Sequence, residues 1–151
     1  MSTIIEEVCA GIKTVGALAP DMVTAFNPPP VAIETAHLPA LYAFLGSASH
    51  NETAYGPNRV LTTRIYRVQV AVIPTGQGNP ATRETQIRPL LQTTIEHYRK
   101  FPLLNRTAYV RNVHVLSDSG IVILPEWGGK YIGFEIRLQV ETIELRAYQG
   151  E

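Results

Sequence analysis

The sequence predicts an α+β domain, with a mainly antiparallel β-sheet and two α-helices packed on one face of it. Two observations predict this fold. Two long segments alternate apolar and polar residues, which is typical of strands with one face on a core and one in water. Two other segments repeat apolar residues at helical spacing. A length of 151 residues favours one domain, spanning residues 1–151.

The segment 130–148 carries the most regular strand pattern. Its first half alternates apolar and polar residues without interruption. Thr142 then takes the next apolar position, and Ile143 and Leu145 carry the apolar side chains on the opposite parity. This pattern predicts that the strand turns its apolar face over near Thr142. Either a β-bulge does so, or residues 142–151 form an extension that packs on a neighbouring subunit.

Two segments predict amphipathic helices. Thr3, with a glutamate three residues later, forms the pattern of a capping box, and the helix that follows is expected to stop at Gly16. Thr82 is the predicted N-cap of a second helix, which ends near Lys100. Since Pro89 lies inside the second pattern, we expect a kink there or a helix that begins near it.

The remaining strands are shorter or less regular. They are predicted at residues 22–26, 38–45, 59–73, 107–116 and 121–124. The mostly apolar segment 38–45 is typical of a central strand buried on both faces. Before it, the run Asn-Pro-Pro-Pro at 27–30 predicts a stiff, extended connector.

Two polar connections interrupt the strands, at 46–58 and 74–81. Connections of this length in a compact domain are often functional. We therefore expect both to become ordered against a partner protein. Their candidate contact residues are Tyr55, Gln77 and Asn79.

Three apolar residues are further candidates for a subunit or partner interface. Trp127 is a large ring in a turn, a position typical of interfaces and equally of a residue that caps the end of a sheet. Ile143 and Leu145 would give the C-terminal end an apolar face that a single domain has no obvious means of covering.

Residues for catalysis or metal binding form no recognisable pattern. The four histidines lie far apart in the sequence, and one cysteine, Cys9, is too few for a structural zinc site. The segment 76–78, Gly-Gln-Gly, lacks the lysine of a phosphate-binding loop. We predict no catalytic, metal-binding or cofactor-binding residue, and no enzyme. The alternative from a different class is a small enzyme that uses the dispersed residues His97, Asp118 and Glu126.

Charge and hydropathy narrow the function classes further. Lys plus Arg and Asp plus Glu number 13 each, so no net charge attracts nucleic acid, an anionic membrane or an acidic substrate. Glu6 and Glu7 interrupt the first apolar residues, which argues against a signal peptide. No apolar run approaches the roughly 20 residues needed to span a bilayer. The expectation is a soluble protein made and kept in a cytoplasm.

Four short segments are informative through their order along the chain. After the N-terminal helix they are Val23–Pro30, His37–Tyr42, Tyr66–Val72 with the proline-glycine turn behind it, and Gly128–Glu135. This order resembles the tail terminator (tail completion) proteins of long-tailed bacteriophages. The resemblance covers nearly the whole chain and consists of pattern and small motifs rather than a catalytic signature.

The resemblance implies a structural virion protein that assembles with itself into a hexameric ring. Such a ring would cap the tail tube protein, end its polymerisation and join the tail to a head–tail connector or stopper protein. Genomic DNA would pass through the lumen without specific binding, and no cofactor is implied. The protein would assemble in the host bacterial cytoplasm and reside in the tail or neck of the virion. Alternatives within the virion are a head-completion or connector protein, or a tail-tube or baseplate component.

Overall fold

The computed structural model describes residues 3–53 and 55–145. Its helices and strands, in chain order, are α1 (Ile4–Ala17), β1 (Thr24–Ala25), β2 (Ala40–Asn51), β3 (Arg59–Pro74), α2 (Pro80–Arg99), β4 (Val110–Asp118), β5 (Val122–Leu124) and β6 (Tyr131–Leu145). The strands form one sheet in the order β1-β2-β3-β6-β4, and β5 pairs with the start of β6 on the same side as β4. Among the described strands, only β1 and β2 pair in parallel. The predicted α+β fold is confirmed.

Both helices pack on one face of the sheet, which we call the helix face. Alternate residues of the two central strands, such as Val68 and Phe134, are fully buried in one large apolar cluster with residues of α1 and α2. The Tyr98 hydroxyl donates a hydrogen bond to the Ile12 carbonyl at 2.9 Å, which joins the two helices inside this core. The other face of the sheet is therefore the one left for further contacts.

The starts of the helices confirm one prediction and correct another. The capping box at Thr3 is present. The N-cap of α2 is Asn79 and not Thr82, because the Asn79 side chain accepts a hydrogen bond from the Thr82 N–H at 2.9 Å. Pro80 takes the first helical position, where an N–H would have no helical partner. α2 runs through Pro89 rather than beginning near it.

β2 differs from its prediction in length and in position. It continues to Asn51, so the first part of the predicted loop 46–58 is strand. Antiparallel pairing with β3 holds this small, polar stretch in place, and its own sequence pattern does not reveal it. β2 is also not a central strand, since only Ala40 and Leu41 pair with β1 on its outer side.

β6 does not turn over at Thr142. Its pairing with β3 continues without a register shift from Gly133 to Leu145, and Thr142 lies on the helix face with 4% of its surface exposed. Threonine is β-branched and suits a strand much as valine does. The predicted reversal is therefore wrong, and residues 142–145 remain in the sheet. Residues 146–151 of the predicted extension lie outside the described residues.

The other boundaries shift by a few residues. β1 is confined to Thr24–Ala25 rather than 22–26, and β4 begins at Val110 rather than at 107. Within the described part of the chain, no helix combines the length and the apolar character needed to cross a membrane.

Candidate interaction surfaces

The described residues cover only one part of the face opposite the helices. At the end where β6 begins, a second apolar cluster lies on this face. Its buried members are Ile33, Ala40, Tyr42, Ala71, Leu124 and Tyr131. The segment between β1 and β2 and the segment around β5 supply the cover. We call this part of the face the covered half.

Trp127 closes the covered half. Its Nε1–H donates a hydrogen bond to the Tyr42 hydroxyl at 2.6 Å, and the two rings meet edge to face with their centroids 5.3 Å apart. Burial raises the pKa of Tyr42 well above its ordinary value, so its hydroxyl stays neutral. Of the two roles predicted for Trp127, the structure shows the sheet cap.

A charged network forms the border of the covered half. Arg67 Nη2 lies 2.8 Å from a carboxylate oxygen of Glu126 and 2.8 Å from one of Glu135. Gln69 Nε2 donates a further hydrogen bond to Glu135 at 3.1 Å. The Arg67 guanidinium also lies 5.5 Å from the centroid of the Phe44 ring. One arginine thus ties two strands, the turn before β6 and an aromatic ring together.

The network fixes the ionisation of Glu135. Burial alone would raise the pKa of Glu135, but hydrogen bonds from Gln69 and Arg67 and the charges of Arg67 and Arg137 lower it below its ordinary value. The two carboxylate partners raise the pKa of Arg67, although its partial burial acts in the opposite direction. Both groups are therefore charged at neutral pH, and the network stabilises structure rather than exchanging protons.

Beyond this network the face lies open. We define the open half by the residues of β3 and β6 that share this side of the sheet: Leu61, Thr63, Ile65, Gln139, Glu141, Ile143 and Leu145. Its apolar members belong to neither apolar cluster of the described residues. Ile143 is half-buried beside its cross-strand partner Leu61, and Leu145 is 73% exposed. This end of the sheet therefore presents apolar side chains that no cluster of the described residues takes up.

Tyr55 lies at the same end of the sheet. Its hydroxyl accepts a hydrogen bond from the Arg111 guanidinium, whose carbon lies 5.3 Å from the ring centroid. Nearby, the Tyr109 carbonyl accepts a hydrogen bond from the Ile143 N–H at 3.1 Å, and the Tyr109 side chain is exposed. Tyrosines and an arginine therefore border the apolar end of β6, a composition enriched at protein interfaces.

The six predicted interface residues do not form one surface. One group lies at the open end of the sheet: Tyr55, Ile143 and Leu145. The others are Gln77 and Asn79, which follow the opposite end of β3, and Trp127, which packs on Tyr42 level with Gln69 in the second half of β3; Asn79 caps α2 and Trp127 caps the sheet. The 16 residues of β3 separate its two ends by about 50 Å, at 3.3 Å per residue, so Tyr55 and Leu145 lie far from Gln77 and Asn79.

The three polar residues of the enzyme alternative do not meet at one site, because His97 lies on the opposite side of the sheet from Glu126. His97 Nε2 lies 2.8 Å from the Val15 carbonyl, on the helix side of the sheet. Glu126 belongs to the charged network on the other side. Asp118 ends β4, where its carboxylate accepts a hydrogen bond from the Gly120 N–H. Among the residues that are described, no three His, Cys, Asp or Glu side chains are grouped so that they could hold a metal ion.

Sequence reasoning missed Leu61 as part of the open half. In the first half of β3, Leu61 and Ile65 share the parity of polar residues such as Thr63, and this departure from the polar pattern was a signal for a second apolar surface. Comparison with known proteins does not assign the surface, because no protein-family model and no curated protein matches the chain.

Proposed function

We propose that this protein is a structural component of a bacteriophage tail. It forms a ring that caps the tail tube, ends tube polymerisation and joins the tail to the head connector. The order of segments in the sequence suggests this role, and the open half of the sheet is the observation that supports it best. A ring protein needs a rigid surface that its own chain leaves uncovered.

The open half suits contact with a protein. Ile143 and Leu145 supply apolar area on strands whose register is continuous, and Tyr55 and Arg111 lie at its border. Interfaces commonly combine an apolar centre with tyrosine and arginine, and they need little reorganisation when the backbone is already fixed. In the ring, this surface would face a neighbouring subunit or the last ring of the tube.

Charge is consistent with passage of DNA through the ring. The chain carries 13 basic and 13 acidic residues. A strongly basic lumen would hold phosphates through the release of counterions. A balanced protein surface would let the genome slide without specific binding, which supports a position in the tail or neck of the virion.

The test is assembly in the presence of the tail tube of the cognate phage. Native mass spectrometry over a range of concentrations, with negative-stain images, is expected to show rings, either alone or once tubes are added. The added protein should bind one end of each tube and stop its growth. A stable monomer or dimer that ignores tubes would refute the proposal. Binding to DNA-filled heads but not to tubes would instead indicate a connector or head-completion protein.

Substitution of Leu145 by Asp locates the surface. Leu145→Asp is expected to abolish ring or tube binding while the far-ultraviolet circular dichroism spectrum of the monomer stays unchanged. Val31→Asp is the matched control, because Val31 is fully exposed beside Trp127 at the covered end of the sheet. If Val31→Asp abolishes assembly and Leu145→Asp does not, the interface lies at the covered end.

A further inference from the structure

We infer that copies of this chain join through the edges of their sheets. The free edge of β2 in one copy pairs, antiparallel, with β4 of the next copy. This joint presupposes the ring-forming function proposed above and names the surfaces that would build the ring. It is separate from the open half, which then remains available for the tube or the connector.

The outer edge of β2 is unpaired over most of its length. β1 covers only the first two residues of β2, and in the described structure no strand pairs with the outer side of residues 43–50. The Leu41 carbonyl accepts a hydrogen bond from the Phe26 N–H on this outer side. The peptide groups of Ala43 and Leu45 follow at even spacing along the strand, so they point the same way, toward the free edge.

This edge carries neither charged side chains nor proline. Free edges are normally guarded by charged side chains or proline. Residues 43–51 include no Lys, Arg, Asp, Glu or Pro, and Leu45 is 51% exposed. β4, which pairs only with β6 among the described strands, carries Arg111 and Asp118 toward its two ends and no Lys, Arg, Asp or Glu between them. Neither edge would repel the other.

The two free edges span the same stretch of the sheet along the strand direction. We call residues level when the pairing register places them at the same position along this direction. Through β3, Ala43 is level with Ile136 of β6, and Asn51 is level with Ile143. β4 pairs with β6 from Ile136 to Thr142. A second copy displaced sideways therefore brings its free edge against the free edge of the first over almost the full length of both.

An exposed leucine lies on each edge at this common level. Leu45 is level with Leu138 through β3, and Val115 pairs with Leu138 directly. Leu116 follows at a register shift in β4 and is 55% exposed. β2 shifts its register just after Leu45. A bulge discourages pairing with an arbitrary flat strand, whereas two edges that are both irregular at one level can match each other.

Strand direction favours a repeating joint. Four strands, β2, β3, β6 and β4, alternate in direction across the sheet, so β2 and β4 run in opposite directions. Placing β4 of one copy beside β2 of the next therefore continues the antiparallel order without turning a subunit over. Such a head-to-tail contact can close into a ring. Pairing of β2 with β2 would stop at a dimer and leave both β4 edges free.

Cross-linking tests this joint. In a Cys9→Ala background, one preparation carries Leu45→Cys and another carries Leu116→Cys, and a short bis-maleimide reagent is added. Covalent dimers are expected when the two preparations are mixed and only background levels when either is treated alone. A chain with both substitutions should give a ladder that ends at the ring size. Leu18→Cys replaces Leu45→Cys in the control, because Leu18 is similarly exposed but lies at the end of α1.

The outcomes separate this joint from the proposed function. Rings in native mass spectrometry without 45–116 cross-links would overturn the joint and leave the ring-forming role standing. Cross-links of Leu45→Cys with itself would also overturn it, in favour of β2–β2 pairing. A 45–116 ladder from a ring that ignores tail tubes would support the joint and refute the tail role. Monomers at all concentrations, with or without tubes, would overturn both.

Discussion

The covered half and the open half belong to the same two strands, yet the described residues cover only the first of them. β3 and β6 keep one register from Gly133 to Leu145, so the open half is not a frayed end. In the covered half, Tyr42 is fully buried under Trp127. In the open half, Leu145 is mostly exposed. The halves therefore differ chiefly in what lies on them, and the one register shift between the described residues of β3 and β6 lies in the covered half, between Ala71 and Ile73.

This difference suggests a division between stability and association. Apolar cover and the Arg67 network stabilise one end of the sheet within a single chain. At the other end, a rigid backbone presents Ile143 and Leu145 without equivalent cover from the described residues. Substitutions in the covered half should lower the free energy of unfolding, and substitutions in the open half should change assembly instead.

Tyr42→Ala is expected to have the largest effect on folding. It removes a fully buried ring and the hydrogen-bond acceptor of Trp127, so the free energy of unfolding should fall by about 3–4 kcal/mol. Urea unfolding measures it. Tyr42→Phe is the control: it keeps the ring, leaves the Trp127 N–H without its acceptor and should cost about 1 kcal/mol. A cost below about 1 kcal/mol for Tyr42→Ala would mean that the second cluster is not a core.

Gly133→Ala tests the close approach of the two central strands. An added Cβ would lie 1.8 Å from the Val70 carbonyl oxygen, a backbone atom that cannot move aside cheaply. We expect a loss of about 2–3 kcal/mol in urea unfolding. Gly76→Ala is the matched control, because its Cβ would meet open space. Equal stabilities of the two variants would show that β3 and β6 can separate locally at no cost.

The sequence predicts those elements whose cause is local. The Thr3 capping box and the long alternating strand β3 are such cases, because hydrogen bonds within one turn and one strand's own parity determine them. The strand structure of β2 beyond Gly46 has no local cause, because pairing with β3 imposes it on small polar residues. Thr142 broke an apolar pattern only because threonine was counted as polar.

The residues of the candidate surface were likewise predictable only where their cause is local. Ile143 and Leu145 were predicted from parity, and their side of the sheet follows from parity alone. Asn79 and Trp127 were predicted as contacts, but a helix cap and a ring packed against Tyr42 use them within the chain. The common level of the free edges of β2 and β4 depends on the pairing register of four strands, which no single segment encodes.

Acid sensitivity should arise in the covered half. The folded-state pKa of Glu135 lies below its ordinary value of 4.5. Its ionised form therefore contributes stability above pH 4.5, and this contribution is lost as the pH falls through the folded-state pKa. Glu135→Gln should lower the free energy of unfolding by about 1–2 kcal/mol at pH 7. It should also reduce the loss of stability at acid pH, which urea unfolding at several pH values measures. Glu141→Gln, in the open half, is the matched control, because Glu141 lies outside the Arg67 network and contacts His114 at 3.8 Å.

The smallest effects on folding are expected at the end of β6. Leu145→Ala should change the free energy of unfolding by less than about 0.5 kcal/mol, because the side chain is already in water. Ile143→Ala should cost about 1 kcal/mol, since Ile143 is half-buried beside Leu61. Urea unfolding is measured at dilutions where native mass spectrometry shows monomers, because assembly would add a concentration-dependent term. If Leu145→Ala cost more than about 1.5 kcal/mol in the monomer, the open half would be covered within one chain, and the contrast between the halves would fail.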